Sequence, residues 1–337
     1  MKKVLFATTA LVLSAGVAAA EVAVSGTGRL GVVYNGENTW NFNSRARVIF
    51  DLSGQTDNGL EFGGSFRADQ SGKANKGGAG SVFISGAFGK IEMGDTVSAP
   101  EALFGDLPEV GYSDLTASEG DVKGFAGLNG QGLLENDIPY LTGDDSGVTG
   151  ENNPVVLYTY STGPFSIATS FSSGVKSDTD NAYGGHDKNA DQEYALAAAY
   201  TFDAYTVGLG YEVKDYAKVN GVAPEKAAQG ELAGTATFGN TDLKAYYAWG
   251  NQGNPVDKAY GLGFASKFGA TSVMGYVQKV DFENDLVVNN VTVDGAVWWG
   301  LGAAYDLGGG ASVVGGISDA DLDGSDVTAD FGVKFKF

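Results

Sequence analysis

Cysteine is absent from the 337 residues, and histidine occurs once, at His186. The first absence excludes disulfides and thiolate metal sites. The second removes histidine-centred proton transfer and nucleophile activation, since His186 stands alone in a polar stretch. No enzymatic activity is expected. Basic residues are scarce too: 21 Lys and Arg face 41 Asp and Glu, for a formal charge of −20. That balance argues against a nucleic-acid partner. Beyond residue 20 no apolar run approaches the ~20 residues of a membrane-spanning helix. A chain of this composition can cross a membrane only with strands.

The first twenty residues stand apart. Met1-Lys2-Lys3 is basic, Val4 to Val17 is apolar, and Ala18-Ala19-Ala20 offers a small-residue cleavage site before Glu21. This predicts a cleaved export signal over 1–20 and a single β-barrel domain over 21–337.

What the chain does have is glycine, 52 residues of it, and an apolar period of two. Alternating segments lie near 22–35, 40–53, 59–69, 81–88, 90–96, 153–161, 164–173 and 192–202. They continue near 204–216, 228–238, 241–250, 257–268, 270–283, 295–306, 309–318 and 326–337. Sixteen strands of this kind predict an all-β, antiparallel transmembrane barrel, its even number letting the ends meet. Short connections alternate with long polar ones at 69–80, 96–152, 174–191, 216–227, 284–294 and 319–325. Phe88, Phe165, Phe202, Phe238 and Phe268 sit beside the short turns, as a membrane-interface girdle would. A secreted β-sandwich would bury the same apolar face in a core. The aromatic bands and the final strand, alternating from Val327 to a terminal Phe337, favour the barrel. Phe337 resembles the C-terminal assembly signal of outer-membrane proteins, which predicts a Gram-negative outer-membrane location.

The third long connection, about 96–152, is far longer than an ordinary loop. Leu103, Phe104, Tyr112, Ile138, Tyr140 and Leu141 give it apolar groups to bury, and its charges are nearly all acidic. It is expected to fold into the lumen. All four arginines fall in the first three strands, and the apolar phase there turns Arg29, Arg45, Arg47 and Arg67 inward. A lipid-facing arginine at mid-membrane would cost ~2–4 kcal/mol, which fixes the phase. These four predict a basic wall. Glu101, Asp106, Glu109 and Asp114 of the loop predict an acidic wall opposite, and together a pore eyelet with a transverse field. Outward positions on the first four strands include Gly26, Gly28, Ala46, Gly64 and Gly86, small enough for either a subunit contact or ordinary glycine usage.

Two motifs carry little. Gly26-x-Gly28-x-x-Gly31 matches a dinucleotide fingerprint but lies within a strand. Asp319-x-Asp321-x-Asp323 begins like an EF-hand loop without flanking helices, and makes these three carboxylates a candidate divalent-cation site. No cofactor is required; structural calcium is the one candidate.

Longer matches are more telling. Val32-Val33-Tyr34-Asn35-Gly36, Ser44-Arg45-Ala46-Arg47-Val48, Phe83 to Asp95, Glu101 to Leu107, Asn136 to Asp144 and Gly332 to Phe337 resemble the Rhodobacter-type general diffusion porins. The resemblance runs over essentially the whole mature chain. It implies a sixteen-stranded barrel, a homotrimer, and a third loop folded inward to narrow the pore. Between Leu115 and Asn136 this chain is longer than the family pattern. The expected function is a water-filled channel for passive diffusion of small hydrophilic solutes and ions, with outer-membrane lipid and lipopolysaccharide as surroundings. The alternatives are a substrate-selective channel of the same fold, or a closed structural or adhesive barrel. Single-channel conductance separates them.

Overall fold

The computed structural model describes residues 21–34, 40–69, 78–113, 115, 138–143, 155–172, 191–216, 218, 221–288, 291–320 and 327–337. The expected export signal lies outside them, as do Asp114, Asp321 and Asp323. In chain order the strands are β1 (Glu21–Tyr34), β2 (Trp40–Gln55), β3 (Glu61–Asp69), β4 (Gly78–Gly86), β5 (Gly89–Gly94), β6 (Val155–Thr162), β7 (Phe165–Ser172) and β8 (Gln192–Phe202). The second half holds β9 (Tyr205–Asp215), β10 (Ala227–Phe238), β11 (Thr241–Gly250), β12 (Val256–Phe268), β13 (Thr271–Val288), β14 (Val291–Gly308), β15 (Ala311–Ala320) and β16 (Thr328–Lys336). One helix, α1 (Ala99–Phe104), lies between β5 and β6.

Every strand pairs antiparallel with its sequence neighbours, and β16 returns to β1 to close the barrel. At that seam Thr27 to Tyr34 run opposite Lys336 to Ala329. Closure satisfies both edge strands internally, as hydrocarbon surroundings demand.

The period-two pattern sorts side chains between two environments. On β8, Tyr194, Leu196, Tyr200 and Phe202 are exposed on the outer face, while Ala195, Ala197 and Ala199 are buried on the inner. The same outer phase exposes Leu209, Leu262, Val277, Leu301 and Phe331. An apolar surface this continuous suits lipid and would be a liability in water. Aromatic pairs belt both ends. Phe165–Tyr200 and Phe202–Tyr205, with centroids 4.7 and 5.4 Å apart, lie at the short-turn end. Tyr34–Trp40 and Tyr247–Trp249, at 5.3 and 5.8 Å, lie at the long-loop end.

Three features depart from the sequence reading. The connection expected over 284–294 is mostly sheet: after a register shift, Leu286, Val287 and Val288 pair with Val293, Thr292 and Val291. Apolar and β-branched residues favour extending the hairpin there. The long third connection contains α1, which strand periodicity could not disclose. Lastly, outward Gly26 and Gly28 lie beneath the rings of Phe337 and Phe335 of the same chain. Their smallness serves ring packing within the sheet, so it carries no argument for a subunit contact.

The buried core lies between the third loop and the inner wall. Phe104, Leu107, Val110, Ile138 and Tyr140 of the loop pack with Ala168, Ala195, Ala197, Ala233 and Ala248 of the wall. Short wall side chains leave the room that the loop fills.

Candidate functional site: the loop seated in the lumen

The loop enters through α1. Ser98 caps the helix, its Oγ accepting from the Glu101 N–H at 3.3 Å, and Pro100 sits in the first turn. Gly105, at φ 58°, ends it. Ser-x-x-Glu is a helix-start pattern, so this signal was present in the sequence. The helix rests on the inner faces of β7, β8 and β9.

From there the chain travels along the wall towards β1, and glycines mark its path. A side chain at Gly208 of β9 would collide with Phe104, one at Gly263 of β12 with Pro108, and one at Gly316 of β15 with Gly111. Lys244 of β11 secures the turn after α1, donating to the carbonyls of Phe104 and Asp106 at 2.6 Å each. At the far end Tyr112 and Ser113 are buried against β16, β1 and β2.

The returning arm, Ile138 to Gly143, is tied to wall carboxylates. Glu212 accepts from the Leu141 N–H at 2.6 Å and from Thr142 Oγ1 at 2.7 Å. Glu193 accepts from the Gly143 N–H at 3.2 Å and from Lys214 at 2.6 Å. Gln229 donates to the Pro139 carbonyl at 2.6 Å. The two arms also hold each other: Asp106 accepts from the Ile138 N–H at 3.0 Å, and Tyr140 donates to the Gly105 carbonyl at 2.9 Å. Burial, reinforced by Asp106 and Glu101, keeps the Tyr140 phenol well above its ordinary pKa, so it stays a donor.

The expected basic residues divide into two groups. Arg45, Arg47 and Arg67 share the inner face of β2 and β3, opposite in phase to Phe42, Val48 and Phe66. Arg47 grips Asp69 with two hydrogen bonds of 2.6 and 3.0 Å, and Arg67 approaches the same carboxylate at 3.8 Å. Arg29 is different. Only 5 % exposed, it lies under the loop and donates to the Ser113 carbonyl at 3.2 Å.

The acids are spread along the loop. Glu101 is in α1, on the wall around β8, five to seven strands round the barrel from the arginine-bearing β3, β2 and β1. Asp106 is occupied by Ile138, and Glu109, 62 % exposed, reaches Lys334 of β16 at 3.6 Å. Asp319, across from Trp299, is on the outer face of β15. Among the described residues no group of three or more metal-ligating side chains is gathered.

Sequence reasoning missed Asp69, Glu193, Glu212 and Asp330 as site residues. All sit on the inward phase of their strands, so extending the phase argument beyond arginine would have flagged them.

A closed barrel with an apolar outer face and a polar, loop-narrowed interior is a transmembrane β-barrel channel. The chain belongs to the Gram-negative porin family, whose model matches residues 7–325. It is 51 % identical over 335 residues to the porin of Rhodobacter capsulatus, covering 94 % of this chain and 100 % of that protein. A porin structure refined at 1.8 Å resolution is 50 % identical, with a TM-score of 0.74 and the same coverage of both chains. An engineered Rhodopseudomonas blastica porin, 19 % identical with a TM-score of 0.61, covers 94 % of this chain and all of its own, and shares the fold. The protein is thus an outer-membrane channel, from a family of porins rather than of enzymes.

Proposed function

We propose that the channel passes small hydrophilic solutes and ions through an eyelet with a transverse field. Arg45, Arg47 and Arg67 form its basic side, and Glu101, Asp106 and Asp114 its acidic side, with Arg29 and Glu109, which meets Lys334 beside the basic strands, serving to hold the loop. One observation supports this reading: the loop's helix is seated on the wall around β8, five and six strands round the barrel from β3 and β2, which carry these arginines. Fixed opposing charges orient polar solutes, while apolar ones must displace ordered water.

Reversal potentials in a salt gradient test it. Charges across a narrow pore lie within the Debye length of ~10 Å at 0.1 M salt, so a passing ion feels both sides. Each is worth ~1–4 kcal/mol at contact, less for a hydrated ion. Arg45→Ala with Arg47→Ala is expected to raise cation over anion permeability several-fold. Glu101→Gln with Asp106→Asn is expected to do the reverse. If neither pair moves the reversal potential of a conducting channel, these charges lie outside the constriction.

The biological unit in this reading is a homotrimer in outer-membrane lipid and lipopolysaccharide, exported by residues 1–20. Sedimentation of a monomer in mild detergent would overturn the trimer.

A further inference from the structure

We infer that the inward loop has a second task, which is to clasp the barrel's closing seam. Across β2, β1 and β16, Arg45 stands opposite Arg29 and Arg29 opposite Lys334. Like charges directly opposed on neighbouring strands weaken pairing. The sheet therefore carries a basic row across its seam, the place where its chain ends meet.

The loop supplies what this row needs. Glu109 reaches Lys334 at 3.6 Å, and the Ser113 carbonyl accepts from Arg29 at 3.2 Å. Ser113 is also held from the other strand: Asp330 of β16 accepts from its N–H at 2.7 Å and its hydroxyl at 2.6 Å. One residue thus bonds to β1 on one side and β16 on the other. Tyr112 adds packing in the same place. Gly31 and Gly332 are direct partners across the seam, and a side chain on either would strike the Tyr112 ring. The Tyr112 hydroxyl continues to the Asn43 carbonyl of β2 at 3.4 Å. Arg29 and Asp330, 5 % and 4 % exposed, are positioning residues that set the loop end and the seam together.

The test combines loop variants with a covalent seam. Leu30 and Val333 are partners across it, and the chain has no cysteine of its own. Leu30→Cys with Val333→Cys gives a barrel that oxidation locks shut. In the unlocked protein, Ser113→Ala is expected to lower the unfolding midpoint by several degrees, and the exposed Glu109→Gln by about one degree. They should also speed amide exchange in β1 and β16. Oxidation should abolish most of both effects. Ser98→Ala, at the loop's other end, should be indifferent to the lock. If the loop variants cost as much with the seam locked as unlocked, or if exchange rises equally in all strands, the clasp is wrong. Glu109→Gln alone decides the matter if Ser113→Ala fails to fold.

Discussion

Asp69 sets how much of the arginine charge the lumen feels. Its carboxylate is shared by Arg47 and Arg67, so part of their field is spent locally. Asp69→Asn keeps the shape and removes one negative charge. It is expected to move the reversal potential towards anions, and reversal potentials compared with the parent channel check this. Stability should change by no more than about 1 kcal/mol, because partly exposed pairs contribute little. The arginines were legible in the sequence, since lipid forbids the other phase. The inward phase of Asp69 was legible in the same way, but its partner was not, because pairing between side chains 22 residues apart depends on register, which composition does not encode. Arg29 has the same phase as Arg45 yet is covered, and only the loop's path separates their roles.

At the scale of elements, strands were readable and the loop's route was not. Strand phase is repeated many times in each segment and cannot be shifted by one residue without exposing charge to lipid. The route depends on single close approaches, each made where the wall has no side chain. Gly263 is the clearest, with Pro108 and Leu107 packed over it. Gly263→Leu must push that segment towards the lumen centre. Overpacking of this kind costs ~1–3 kcal/mol. The expected result is a folded barrel with lower single-channel conductance, read in a planar bilayer. Unchanged conductance would mean that the segment beside Gly263 does not border the open path. The short helix could have been found, because Ser98 and Glu101 have capping-box spacing. Its seat on β7 to β9 could not, as those alanines look like ordinary inward positions.

For the whole molecule, Phe337 is expected to matter to assembly out of proportion to its contacts. Phe337 extends the seam by bonds to Gly26 of 2.8 and 3.4 Å, and its ring meets Phe335 at 5.3 Å. It is nonetheless 78 % exposed. Deleting it removes little packing, so a folded barrel should keep nearly the parent's thermal midpoint. The amount of barrel reaching the outer membrane is expected to fall sharply, measured as heat-modifiable protein in isolated membranes. Normal amounts would reduce Phe337 to a girdle aromatic.

The seam also has a consequence in time. Every other pairing joins strands adjacent in sequence, and hairpins form in ~1–10 μs. Only β1 with β16 must bring together the two ends of the chain. The entropy of that encounter grows slowly with length, but such non-local pairings are the slow ones. Until it happens the growing sheet carries two unpaired edges and a bare apolar face, a template for aggregation. Yield in the cell is therefore a race between ring closure and clumping. A residue that shortens the wait can be worth keeping even when it adds almost nothing to the finished ring.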